Sequence, residues 1–162
     1  MIKSKAYTYI AVLLAALCAA GCSSSEQELS EKLIGSWYFS QEKSDGVTTM
    51  TIEGDGEYFD DDTSEGSIAY TVSGMGVSAA LTIETVSDWK IQGKHLIEKP
   101  VSIEIVAEKG NPLVLKNIKA EIKKLRNKET RGLIKHIDDE EARIYHKTEK
   151  VTMTLHRYED EE

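Results

Sequence analysis

From Gly35 onward, apolar residues recur at every second position. Trp37 and Phe39 alternate with Ser36, Tyr38 and Ser40, and Met50 and Ile52 share one face of Val47–Glu53. Ile68, Tyr70 and Val72 point one way, and Val77, Ala79, Leu81 and Ile83 alternate with mostly polar neighbours. Trp89 and Ile91 lead into Gln92-Gly93-Lys94, after which Val101, Ile103 and Ile105 share a face of His95–Val106. The end of the chain repeats the rhythm over Gly132–Ile137, Ala142–Lys147 and Val151–Tyr158, where Val151, Met153 and Leu155 alternate with Thr152, Thr154 and His156. A period of two buries one side of a strand, as in antiparallel sheets. Turn signals separate the runs: Asp45-Gly46, Gly54-Asp55-Gly56, the loop Asp60–Gly66 and Asp138-Asp139-Glu140. Eight or nine such strands predict a closed or nearly closed barrel, which also removes exposed edges.

Two segments break the rhythm. Glu26–Ile34 places Leu29, Leu33 and Ile34 on one side, with Gly35 as a stop, and predicts a short helix. Asn111-Pro112 supplies a capping side chain followed by proline at the first helical position. Val114, Ile118, Ile122 and Leu125 then trace one helical face, with Lys116, Lys119, Lys123 and Arg126 opposite. This predicts an amphipathic helix over Pro112–Asn127, inserted between strands and laid on the sheet or one barrel end.

The first residues have another character. Lys3 and Lys5 precede an apolar run, Ala6–Ala20, that closes on Ala19-Ala20-Gly21-Cys22. Fifteen residues fall short of the roughly 20 a membrane-spanning helix needs. The layout is that of a bacterial secretory signal. The cysteine after Gly21 makes it resemble a lipoprotein signal with a lipobox ending at Cys22. That resemblance implies cleavage before Cys22, diacylation of its thiol and acylation of the new N-terminus. Three chains would hold the protein to a membrane almost permanently, whereas one gives only marginal binding. Ser23, with no Asp in its place, resembles the outer-membrane sorting signal, implying a lipid-anchored protein on the periplasmic side of the outer membrane. The chain divides accordingly: a signal peptide over 1–21, a lipidated tether over 22–28, a β domain over 29–158 and an acidic tail over 159–162.

Charge and cysteine usage narrow the function. Cys18 and Cys22 lie in the signal and at its junction, leaving no disulfide for the mature domain. Beyond residue 21 the chain carries 18 basic and 28 acidic residues, a net −10 with neutral histidines. So acidic a surface is a poor non-specific binder of nucleic acid or anionic headgroups.

Three motifs, in order, resemble the bacterial lipocalin-like lipoproteins: Leu33-Ile34-Gly35-Ser36-Trp37 at the first strand, Gly54-Asp55-Gly56 after a Thr-rich strand, and Trp89-Lys90-Ile91-Gln92-Gly93-Lys94-His95-Leu96. The Gly-x-Trp element is similar to the opening motif of lipocalins. The resemblance implies that Trp37 plugs the closed barrel end and that a basic residue of the last strand, here Arg157, stacks on it by a cation–π contact. The second lipocalin motif, Thr-Asp-Tyr, is absent, so the expected fold is mainly β: an antiparallel lipocalin-like barrel or half-barrel with a short N-terminal helix and one inserted amphipathic helix.

Reactive chemistry finds little support. There is no Gly-x-Ser-x-Gly elbow, no phosphate loop and no cysteine outside the signal region; the expectation is no enzyme and no cofactor. The loop Asp60-Asp61-Asp62 does not fit an EF-hand, because starting at Asp61 puts Gly66 at the sixth position but Val72 at the twelfth. His95, His136, His146 and His156 show no metal-ligand spacing. A hairpin turning near Glu149 would set His146 opposite Met153 and His156 opposite Arg143. No metal site is expected, and the basic helix face reads as solvated.

The leading expectation is non-catalytic binding of a small hydrophobic ligand in a cavity lined from Trp37, Met50, Tyr70, Leu81, Ile83 and Met153. Small barrels also fill themselves with side chains. The alternative is then an interaction module, an envelope-assembly factor or an inhibitor of a basic exported enzyme, acting through the acidic loop and tail. A cavity above roughly 300 Å³ favours the ligand. The anchor is independent of either: a clickable fatty acid should label the wild type, and Cys22→Ser should lose the label. Label kept by that variant would refute acylation at Cys22.

Overall fold

The computed structural model describes residues 25–158. The signal segment, Cys22, Ser23 and the acidic tail 159–162 lie outside the described residues. A helix α1, residues 25–33, is followed by β1 (Gly35–Ser44), β2 (Thr48–Tyr58), β3 (Thr63–Gly74), β4 (Val77–Gln92) and β5 (His95–Gly110). Helix α2 (Pro112–Leu125) precedes β6 (Thr130–Ile137), β7 (Glu141–His146) and β8 (Val151–Arg157). The eight strands pair antiparallel in sequence order, and β8 returns to β1, closing the barrel. The fold is therefore mainly β, a closed lipocalin-like barrel with two helices.

The two ends of the barrel are built differently. At one end all eight strands are present, and β1 meets β8 through Trp37 opposite Arg157 and Tyr38 opposite His156. Leu33, Trp37, Trp89, Leu96, Ile134, Ala142, Ile144 and Leu155 form its core, all buried. At the other end β4 and β5, 16 residues each, extend past the shorter β6–β8. Strand β5 pairs with β6 only over His95–Glu98, so its later residues have one strand neighbour. Lys99, Glu104, Glu108 and Lys109 charge this open edge against strand addition.

Helix α2 completes the second end. Asn111 Oδ1 accepts hydrogen bonds from the Leu113 and Val114 N–H groups at 3.0 and 3.2 Å, and Pro112 opens the helix. Leu115 and Ile122 are buried against Ala79, Leu81 and Ile83 of β4, with Val114 and Ile118 packed beside them. These β4 residues lie on the face that continues as the barrel interior, so α2 sits inside the curl of the long hairpin. An ion pair between Lys119 and Glu108 ties it to β5. The helix ends at Leu125, two residues before the predicted Asn127. Arg126 is extended, and the Asn127 N–H is donated to the Pro100 carbonyl at 2.8 Å instead of continuing the helix.

Three local expectations change. Gly54-Asp55-Gly56 is not a turn, since β2 runs unbroken to Tyr58. Its glycines face the interior, where a Cβ at Gly54 would stand 2.5 Å from the Phe39 ring and one at Gly56 2.9 Å from the Glu65 carbonyl oxygen. Crowding in the barrel, not a chain reversal, requires them. The strand carrying Val101, Ile103 and Ile105 is also not regular: a bulge pairs Val86 with Ser102 and Ser87 with Pro100 and leaves Val101 without an opposite residue. The last hairpin turns over residues 147–150, placing His146 opposite Val151 and Arg143 opposite Thr154. That is two residues from the expected register, because the turn is centred earlier than Glu149.

The docking of α2 is testable. Ile122→Asp puts a charge among Leu115, Leu81 and Ile83 and should cost at least about 3 kcal/mol. Lys116→Asp on the exposed side should change stability by less than about 0.5 kcal/mol. Equal chemical-denaturation midpoints for the two variants would show that the helix is not packed this way.

Candidate functional site

The closed end is sealed by one cluster. The Trp37 ring is buried and its indole N–H is donated to the Leu33 carbonyl at 2.7 Å. The Arg157 guanidinium lies 4.1 Å from the Trp37 ring centroid. Its Nη1 and Nη2 donate to the Ile34 and Lys32 carbonyls at 3.0 and 2.6 Å. Those carbonyls lie at the C-terminal end of α1, where unpaired C=O groups and the helix dipole favour a cation. Gly35, at φ 119°, lets Arg157 through, since a Cβ there would collide with Nη1. This end is a plug, and Trp37→Ala should cost about 3–5 kcal/mol. An unchanged unfolding midpoint would show that the plug does not hold the fold.

Above the plug the interior is hollow. A deep chamber of about 180 Å³ lies against Trp37, Phe39, Gly56, Gly66 and Leu155. It exists because the facing positions are small: Gly56 pairs with Gly66, Gly66 with Thr85, and Ser64 with Ser87. An upper chamber of about 490 Å³ opens toward α2 and is lined by Ile52, Tyr70, Leu125, Ile144, Val151 and Met153, among others. Its mouth carries Lys43, Lys128, Glu129, Arg131 and Glu149, all exposed.

Tyr58 and Glu98 line both chambers and stand at their junction. The Tyr58 hydroxyl donates to Glu98 Oε1 at 2.7 Å. Trp89 fixes the tyrosine: their rings meet edge to face at 5.4 Å, and the indole N–H is donated to the Thr63 carbonyl at 2.8 Å. Burial, reinforced by the Glu98 charge, pushes the Tyr58 phenol well above its ordinary value, so it remains a donor. Burial also raises the Glu98 carboxyl, while the Tyr58 hydrogen bond and the His146 charge act the other way. His146 belongs to the same wall, lining the upper chamber opposite Gly132. Tyr70 is raised by burial too.

The residues expected from sequence to line a cavity are dispersed. Tyr70 and Met153 line the upper chamber, and Trp37 and Met153 the deep one. Leu81 and Ile83 are buried under α2. Met50 is 37% exposed and borders neither chamber. Tyr58 and Glu98 were not expected from the sequence, and His146, weighed there only as a metal ligand, was not expected to line a cavity. The inward parity of Glu98, two residues after Leu96, was the available signal for one of them.

The other histidines have separate surroundings. His136 Nε2 lies 2.7 Å from Asp138 Oδ2. The Glu140 and Glu141 N–H groups, with His136, hold that carboxyl down to about 2. His156 stacks 5.4 Å from Tyr38 on the outside. In the loop after β2, Asp61 Oδ1 accepts from the Thr63 N–H and hydroxyl at 3.1 and 2.5 Å, fastening its own turn. Among the described residues no three His, Cys, Asp or Glu side chains are grouped to hold a metal ion. No protein-family model and no curated protein matches this sequence.

The raised Glu98 carboxyl makes a pH prediction. A raised folded-state pKa means the native state keeps its proton longer than the unfolded chain. Glu98 therefore lowers stability as pH rises from the unfolded carboxyl range through its raised folded value. Glu98→Gln keeps an acceptor for Tyr58 and removes this term. Relative to wild type, the variant should gain thermal stability between mildly acidic and neutral pH and show no such gain at lower pH. A gain that is the same at every pH would mean Glu98 is not desolvated.

Proposed function

We propose that this protein is a non-catalytic, lipid-anchored envelope lipoprotein that binds a small hydrophobic ligand inside its barrel. The supporting observation is the upper chamber: about 490 Å³, within the range of small-molecule sites, with Phe39, Ile52, Ile68, Ile144, Met153 and Leu155 on its wall and its charged groups gathered mostly at the mouth. A barrel that served only as a scaffold would have filled this space with side chains. Closure at the Trp37 end leaves α2 and the β7–β8 turn as the approach. The anchor rests on the signal at Cys22 alone. No helix among the described residues is long and apolar enough to cross a membrane.

A second reading has its own observation. The outer wall of β2–β4 carries a shallow groove of about 880 Å³ flanked by exposed Asp55, Glu57, Glu65 and Glu84. Such a face suits a basic protein partner, as the alternative of an interaction module requires.

Fluorescent polyaromatic or acyl probes separate the two. They should saturate on a chain beginning at residue 23. Val151→Trp, which fills part of the upper chamber from the wall, should weaken them by about tenfold or more while the far-ultraviolet spectrum stays native. Equal binding by wild type and variant would refute the cavity as the site. Loss of a cross-linked envelope partner on neutralising Glu57 and Glu65 would then support the outer groove.

A further inference from the structure

Among the described residues that line the chambers, Glu98 is the acid set deepest, at their junction. The others with charge are exposed and screened by water: Lys43, Lys128, Glu129, Arg131 and Glu149 at the mouth, and Asp55, Glu57 and Glu65 on the β2–β3 wall of the deep chamber. We propose that the ligand is an organic ammonium compound, with its protonated amine on Glu98 and its apolar body in the upper chamber. This deepens the ligand-binding reading above and rests on it.

Three observations carry the assignment. First, Glu98 is half satisfied. Its Oε1 accepts from Tyr58, and Oε2 has no hydrogen-bond partner among the described residues. No buried side-chain oxygen or nitrogen among them lacks a partner, so Oε2 opens onto the cavity. Second, no neighbouring cation is paired with it. Tyr58 is a neutral donor, and His146 lines the same chamber without a hydrogen bond to the carboxylate. Arg157, the cation of the closed end, is committed to Trp37, Ile34 and Lys32. Third, the surroundings are apolar. Phe39, Ile68, Met153 and Leu155 line both chambers around the Tyr58–Glu98 pair.

A half-buried carboxylate with one neutral hydrogen bond in a mostly apolar wall is under-compensated, and a paired cation relieves it. A charge-assisted N–H···O contact is about twice as strong as a neutral one. A fatty acid fits the same space poorly. With its head at the mouth its tail would end beside the Glu98 charge, and with its head inward two carboxylates would meet. A neutral alcohol would fill the chamber without supplying the missing charge.

The experiment compares three compounds of one shape: naphthylmethylamine, naphthylmethanol and naphthoate. They are titrated calorimetrically near neutral pH into the mature acylated chain, beginning at Cys22, in lipid nanodiscs, with empty discs as the blank. The amine should bind about tenfold or more tighter than the alcohol, and naphthoate weakest. Glu98→Gln should bring the amine-to-alcohol affinity ratio down to about one. Tyr58→Phe, which keeps the carboxylate, should keep the preference. If Glu98→Gln does not fold, the ranking on wild type decides alone. Equal binding of amine and alcohol overturns the ammonium assignment and leaves the cavity reading standing. Tightest binding by naphthoate overturns it likewise. A preference that survives in Glu98→Gln refutes Glu98 as the partner. Saturation by none of the three overturns both readings.

Discussion

The stacking of Arg157 on Trp37 is the contact on which the rest of the barrel depends. It joins the last strand to the first, where β8 and β1 share only two facing pairs. So short a seam is weak by backbone bonding alone. The guanidinium reinforces it by covering the indole and binding two carbonyls of the α1 end. A partly buried cation is best tolerated when its donors are satisfied, and here the helix terminus supplies the acceptors. Helix α1, the strand seam and the core around Leu33 and Trp37 therefore form as one unit. Removing any part exposes a charge or an indole to an unsuitable environment.

With one end sealed, the other end is free to be shaped. The β4–β5 hairpin is longer than the strands available to pair with it, and its inner face would be wet without a cover. Helix α2 provides that cover by burying Leu115 and Ile122 on Leu81 and Ile83. It also carries the chain back to the start of β6, where the Asn127 N–H meets Pro100. The hollow that remains lies between two packed clusters, one around the plug and one under the helix. Its size follows from small inward residues at Gly56, Gly66, Ser64 and Ser87 below, and from the distance between α2 and β7–β8 above.

Tyr58 and Glu98 give this hollow its chemistry. A carboxyl raised by burial is a destabilising element that packing elsewhere must offset. Its tyrosine is held by Trp89, whose own N–H is bonded to β3. The pair is thus oriented by the wall and not by the ligand, a preorganisation that lowers the cost of binding.

Much of the architecture was legible in the sequence. The two-residue period of Trp37–Phe39, Ile68–Val72, Leu81–Ile83 and Val151–Leu155 specified one-sided strands. Asn111-Pro112 and the stripe Val114–Leu125 specified α2, since capping and periodicity are local properties. The interior was not legible. Gly54 and Gly56 read as a turn because glycine has the same signature whether it reverses a chain or yields space to Phe39. Leu81 and Ile83 have the alternation of cavity residues, yet the helix lies on them. Glu98 looked like one acid among many, because nothing in its neighbours reveals that Tyr58, 40 positions earlier, bonds to it. The sequence by itself determined the period, the caps and the signal-like start, which depend on residues within a few positions of one another. The tertiary structure decided which inward faces touch, which stay hollow and which acid lines the hollow, because those depend on distances between strands far apart in the chain.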